Sequence, residues 1–248
     1  VARNGKPEAP RREPVTNREF PLFFVPEEPL AAGRSVALPL SETRHVRSRR
    51  VLPGEIVGLL DGRGHLAMGA LQEDSESVRI ERILDREGEP EVRVLVFIGN
   101  SDPARIEWAI EKGTECGAAG FYLVSLERTQ RGFHDSTAAR MPRLRRIAAE
   151  AMKQCRRTVL PTVEGPISLR EALTVAPGIP FVAVASGPKL TPPPDLERNL
   201  SVFIGPEGGF SPSEIRVFEE EKARLFSMGP RVLRVETAVV AALSLLVR

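Results

Sequence analysis

The sequence predicts an α/β protein in two parts, a small β-barrel-like module followed by a larger parallel α/β sheet, and three observations predict it. Residues 20–86 carry short apolar runs of strand length punctuated by Gly, Pro and Asp. Beyond the polar stretch 85–90 the rhythm changes to apolar runs alternating with amphipathic helical segments. Near the C-terminus, two Gly-Pro loops each follow an apolar run and lead into a helix.

Taken in order, residues 1–18 are rich in Pro, Arg and Glu, lack apolar periodicity and read as a disordered extension. The first module, 19–88, is expected to hold strands at 21–25, 34–38, 55–60, 65–71 and 77–83, with one helix at 41–52. The second part, 89–248, is expected to hold strands at 92–98, 121–125, 181–184, 201–204 and 225–228. Its helices are expected at 103–116, 142–155, 168–173, 212–223 and 237–247. Ligands of such a sheet sit at the carboxyl ends of its strands.

A chain of 248 residues buries a sufficient core without disulfide or metal. Cys116 and Cys155 stand alone, with no His at a ligand spacing, so neither a zinc site nor a disulfide framework is expected and a reducing cytoplasm is the simplest home. The longest apolar stretch, 238–247, is interrupted by Ser244 and is too short to span a bilayer, and no secretion signal opens the sequence. The formal net charge of +2 says little by itself, but arginine is unevenly placed. One cluster comprises Arg44, His45, Arg47, Arg49 and Arg50; another runs through Arg140, Arg143, Arg145, Arg146, Lys153, Arg156 and Arg157. Either suits phosphate binding, and a solvated helix face accounts for each equally well.

The most informative segment is GPEGGFSPSEI at 205–215, a glycine-rich loop between strand and helix. Ser211 suits the N-cap, Pro212 the first helical position, and Glu214 stands where a capping box requires it. A second loop of the same kind, MGPRVLRVETA, follows at 228–238, and two such loops at neighbouring strand ends can wall one pocket. In it Arg234 and Glu236 stand next to the start of a strongly apolar helix; an Arg-to-Glu pair tying down the loop is the commoner use of such a doublet.

These two motifs, in this order at the C-terminus, resemble the RsmE family of 16S ribosomal RNA uridine-N3 methyltransferases within the SPOUT superfamily. Weaker similarity covers FFVPEEP at 23–29, LLDGRG at 59–64, Lys112, Thr114, Glu115 and Gly117, the Glu127-Arg128 pair, and 150–157. The resemblance implies a PUA-like N-terminal barrel for RNA docking, a C-terminal SPOUT domain with a deep trefoil knot, and a homodimer. It implies S-adenosyl-L-methionine as cofactor, held by Gly205, Glu207, Gly208 and Gly209 from one loop and Met228, Gly229, Val232 and Leu233 from the other, with Ser186 ending a third loop. Catalysis would fall to Arg234, steadying charge on the uracil oxygens, and Glu236, accepting the N3 proton or orienting Arg234. RNA contacts are expected from Arg44, His45, Arg49, Arg50, Arg128, Arg156 and Arg157, the substrate being 16S ribosomal RNA or the assembled small subunit. The chain departs from the family pattern at Cys116, where Leu is usual, at Arg156, where Gly is common, and at Arg47 and Ser48, which interrupt an apolar helix.

Rival readings are weaker. Gly62-Arg63-Gly64-His65-Leu66-Ala67 fits the loose dinucleotide fingerprint, but a strand follows it where a helix is needed, so a hairpin turn is expected. No phosphate-binding loop of the NTPase type is present. His45, His65 and His134 are scattered, and Trp108 and Tyr122 are expected in the core. A SPOUT enzyme methylating another base or a ribose 2'-hydroxyl, and a catalytically inactive RNA-binding assembly factor, remain the alternatives.

Overall fold

The computed structural model describes residues 20–99, 101–128, 133–190 and 198–247; the extension expected at 1–18 lies outside the described residues. The N-terminal part contains β1 (Leu22–Phe24), β2 (Ser35–Ala37), α1 (Leu40–Arg49), β3 (Ile56–Leu60), β4 (His65–Leu71) and β5 (Ser77–Asp85). They form a five-stranded mixed sheet in the order β1-β3-β4-β5-β2, in which only β1 and β3 run parallel. Phe23, Val57, Leu59, Ala67, Leu71, Val78 and Ile80 point into one core that Val46 of α1 covers. Each large side chain so removed from water contributes about 1.5–3 kcal/mol.

The second part follows as β6 (Arg93–Gly99), α2 (Pro103–Glu115), β7 (Gly120–Ser125), α3 (Phe133–Cys155), β8 (Thr162–Ser168), α4 (Leu169–Val175), β9 (Pro180–Ala183), β10 (Asn199–Ile204), α5 (Pro212–Glu220), β11 (Arg224–Phe226) and α6 (Val235–Leu246). Its six strands lie in the order β11-β9-β10-β6-β7-β8, every pairing parallel. Alternation along β6 sorts the layers: Val94, Val96 and Ile98 pack with Ile110 of α2, Leu144 of α3 and Val239 of α6, while Phe97 faces Ala172 of α4 and Phe218 of α5. Phe97 stacks between Phe203 and Tyr122, at ring-centroid distances of 4.4 and 5.0 Å. A parallel sheet covered on both faces by helices is what alternating strand and helix patterns imply.

Three differences from the sequence reading have physical causes. The strand β8 was not expected, because the Gly165-Pro166 pair inside it reads as a turn. Helix α3 starts at Phe133 and runs through Pro142, where the sequence reading begins the helix. Trp108, expected in the core, is 59% exposed on the outer side of α2.

The two sheets are joined through backbone and buried charge. The β3–β4 turn inserts against the segment after α3: Gly64 N donates to Thr158 O at 3.0 Å, Leu160 N donates to Gly62 O at 2.8 Å, and Arg63 bridges Val159. Lys153 of α3 donates to the buried Glu42 of α1 at 2.9 Å. Arg157, expected to contact RNA, is only 6% exposed and is a structural residue. Its guanidinium donates to Glu89 (2.8 and 3.2 Å) and to the carbonyls of Thr114 (3.0 Å) and Ala118 (2.7 Å). The arginine spacing looked like a solvated helix face, but Arg157 lies beyond the end of α3 and turns inward.

Candidate active site

The parallel strands β9, β10 and β11 end side by side, and the loops leaving them enclose a cavity of about 280 Å³. All eight residues expected to hold a cofactor line it: Gly205, Glu207, Gly208 and Gly209 on one wall, Met228, Gly229, Val232 and Leu233 on the other. The third wall comes from the end of β9 through Ala183, Val184 and Ala185, and not from Ser186. Val235 and Ala238, in the first turn of α6, complete an apolar side. Val232 is 89% exposed, so its side chain stands at the rim of the cavity.

Local sequence explains why the loops hold this shape. Gly209 (φ +66°) and Gly229 (φ +115°) adopt backbone that side-chain-bearing residues rarely tolerate, and a Cβ at either would meet nothing within 4 Å. Both loops therefore let main chain face open space in the cavity. Helix α5 begins with the expected capping box: Ser211 Oγ accepts from Glu214 N at 3.1 Å, and Glu214 Oε2 accepts from Ser211 N at 2.7 Å. Glu214 does more than cap, since its other oxygen accepts the backbone N–H of Glu127 at 2.7 Å. Arg128 then donates to Gly208 O, and Ser213 Oγ donates to the Glu127 carboxylate (2.7 and 2.8 Å). Those two hydroxyl groups, Ser211 first and Ser213 second, hold the Glu127 carboxyl below its ordinary value. The loop after β7 is thus fastened to the glycine loop after β10.

Arg234 is the N-cap residue of α6, exposed, with no side-chain capping bond. Glu236, in the first turn of the helix and 13% exposed, does not form the pair with Arg234 that the doublet suggested; its ion pair is with Arg105 of α2, at 3.9 Å. Arg105 also lies 3.5 Å from Glu207, whose carboxylate accepts from Ser101 Oγ at 2.5 Å. Sequence reasoning missed Arg105 and Ser101 because nothing local marks them: Ser101 and Glu207 are 106 residues apart.

The expected RNA-binding residues separate into groups. Arg44, His45, Arg49 and Arg50 lie exposed on or just after α1, with His45 Nδ1 3.0 Å from Glu42. A second cavity, of about 260 Å³ between α1 and α3, brings His45 and Arg49 together with Arg156 and Lys153. Arg156 has φ 63°, which accounts for the Gly common there in the resembling family, and its guanidinium lies over the Phe20 ring, 5.2 Å from the centroid. Arg128 stands apart from this cavity, at the glycine loop.

A parallel α/β sheet whose glycine loops wall a cavity at the strand ends marks a class, and the comparison with known families identifies it: the chain belongs to the RNA methyltransferase domain family, which matches residues 88–247. Within that class it is similar to proteins named ribosomal RNA small subunit methyltransferase E, as its loop motifs suggested. It is 29% identical to the one from Mycobacterium bovis, covering 90% of this chain and 89% of the relative. For the one from Aquifex aeolicus the values are 27%, 86% and 94%. Among solved structures, ribosomal RNA small subunit methyltransferase E from Neisseria gonorrhoeae bound to S-adenosyl methionine superposes with a TM-score of 0.83 at 28% identity, covering 91% of this chain and 96% of that one. The methyltransferase Lpg2936 from Legionella pneumophila, in complex with the bound cofactor SAM, gives 0.82 at 27% identity, covering 92% and 97%. No helix among the described residues is long and apolar enough to cross a membrane, and no group of three or more His, Cys, Asp or Glu among them suits a metal.

Proposed function

We propose that the protein transfers a methyl group from S-adenosyl-L-methionine to N3 of a uridine in 16S ribosomal RNA. The observation that carries this reading is the convergence of both glycine loops on one cavity at the ends of β9, β10 and β11. The cavity fits the cofactor. Its floor is main chain at Gly209 and Gly229 with open space before them, which admits close backbone approach, and Ala183, Val184, Leu233 and Ala238 offer an apolar side for an adenine ring. When bound, the cofactor supplies an electrophilic methyl group on a sulfonium centre. The rest is alignment and proton handling by this chain. Uridine N3 must lose its proton; Glu236 takes it, and Arg234, exposed at the start of α6, neutralises the charge that gathers on the uracil oxygens.

The same reading gives the N-terminal part, 19–88, a PUA-like barrel fold and an RNA-docking role, and 89–248 a SPOUT fold with a deep trefoil knot. The strand order β11-β9-β10, with both flanking loops closing on one cavity, supports the knot. RNA lies along the exposed arginines of α1 and the basic cavity beside α3. Two copies of the chain pair in the cytoplasm, and the exposed Trp108 supports an apolar contact between them. The test is mass spectrometry of nucleosides from small subunits lacking the modification, after incubation with the protein and methyl-labelled S-adenosylmethionine. Label in 3-methyluridine is expected. Label in another nucleoside or a ribose overturns the acceptor assignment, and absence of label with cofactor bound overturns the enzymatic reading.

A further inference from the structure

Arg105 belongs to neither loop motif, yet it stands where three segments of the site meet. It sits in the first turn of α2, directly after Ser101 and the helix cap Asp102. Its Nε lies 3.5 Å from Glu207 Oε1 in the glycine loop after β10, and its Nη1 lies 3.9 Å from Glu236 Oε2 in the first turn of α6. One cation therefore serves two carboxylates carried by different segments, one after β10 and one at the start of α6. Glu207 has a further support in Ser101 Oγ, which donates to the same Oε1 at 2.5 Å. Glu236 has none: its Oε2 is buried and accepts no hydrogen bond among the described residues.

The distance of 3.9 Å is too long for a hydrogen bond, so Arg105 supplies Glu236 with charge and direction while leaving the oxygen's lone pairs free. A buried carboxylate oxygen in that condition is unfavourable until a donor reaches it. Val235 and Ala238 line the cofactor cavity, whereas Glu236 turns toward α2, so the guanidinium of Arg105 sets where the carboxylate stands relative to the cavity edge.

We propose that Arg105 is a positioning residue for methyl transfer, holding the largely buried Glu236 carboxylate, next to the cavity-lining Val235, in the orientation in which it takes the N3 proton. The proposal rests on the methyltransferase reading above. In it the N3 proton passes to Glu236, the N3–methyl bond forms and the methyl–sulfur bond breaks; Arg105 takes no part in bond making.

The experiment is a double-mutant cycle on the full chain with Arg105→Ala, Arg105→Lys, Glu236→Gln and the Arg105→Ala/Glu236→Gln pair, measuring kcat and KM on small subunits, cofactor affinity by calorimetry, and the melting midpoint without ligand. Arg105→Ala should lower kcat by about tenfold to a hundredfold with cofactor affinity within about threefold, since Ser101 still holds Glu207. Arg105→Lys should recover part of the loss. In the Glu236→Gln background, removing Arg105 should lower kcat by less than about twofold, and its effect on the melting midpoint should shrink likewise. Equal losses in both backgrounds, or cofactor affinity falling in step with kcat, overturn the proposal. If the wild-type protein itself transfers no methyl group, the functional reading fails; the melting cycle without ligand still decides whether Arg105 acts on Glu236.

Discussion

Removing the Glu89 carboxylate should be among the most damaging single changes available in this chain, although Glu89 is far from the cofactor cavity in sequence and carries no motif. In Glu89→Ala, Arg157 loses both of its bonds to that carboxylate, and the N–H groups of Thr158 and Val159, which donate at 2.7 and 2.9 Å, lose their acceptor. The site cannot recruit water easily, because the Glu89 side chain is 2% exposed, Arg157 6% and Thr158 fully buried. Arg157 keeps its two carbonyl acceptors, so the guanidinium stays in place as an uncompensated buried charge. Breaking such a pair from one side costs about 3–5 kcal/mol. For a chain of this size that corresponds to a fall of about 6–20 °C in melting midpoint. Thermal and urea denaturation of the ligand-free protein read it directly. Glu76→Ala, which removes an exposed pair with Arg47, provides the contrast and should move the midpoint by less than about 2 °C. A Glu89→Ala protein melting within about 2 °C of wild type would refute the reasoning, and with it the assignment of Arg157 to structure.

Gly229→Ala should weaken S-adenosylmethionine binding at least about tenfold by calorimetry, because a side chain at φ +115° forces the loop out of shape; the strain itself costs about 1–3 kcal/mol in denaturation. Burial pushes the Asp61 carboxyl up, but hydrogen bonds from the His65 side chain and the Arg63 and His65 amides outweigh it and hold the group below its ordinary value of 3.8. That stabilisation is present above the unfolded value and is lost as pH falls through the lower folded value, so Asp61→Asn should flatten the decline of melting midpoint between about pH 5 and pH 2. An unchanged profile would remove Asp61 from the acid response. Arg49→Ala should lower affinity for small-subunit RNA and reduce the slope of log affinity against log salt by about one, the signature of one lost phosphate contact. An unaltered slope would take the α1 surface out of RNA docking.

The strands that were legible are those whose apolar runs are bounded by turn residues: β4 matches its expected bounds, and the others differ by a few residues at their ends. Helix α5 was legible from its own cap, since Ser211, Pro212 and Glu214 act within one turn. The cavity-lining residues were legible as candidates because they lie on two contiguous loops. What escaped was non-local. The second oxygen of Glu214 reaches Glu127, and Arg105 gathers Glu207 and Glu236, through contacts that only the folded sheet creates. Arg157 was misread for a related reason: it ends a run of basic residues spaced as on a solvated helix face, and the left-handed backbone at Arg156 that turns it inward leaves no pattern in a charge run.

The turn between β3 and β4 meets the segment after α3 through main-chain groups, Gly64 to Thr158 and Gly62 to Leu160. Beside these backbone bonds, Met152 of α3 is buried with Leu60 and Leu66, and Lys153 pairs with Glu42, so side chains on both sides of the seam are matched as well. The seam also resists sliding, because displacement by one residue would break every bond in it at once. The N-terminal sheet is therefore carried as a rigid arm, and the reach from the arginines of α1 to the mouth of the cavity becomes a fixed length. Under the RNA-docking role proposed for α1, an RNA held at one end of that arm would present only nucleotides at the matching span to the other.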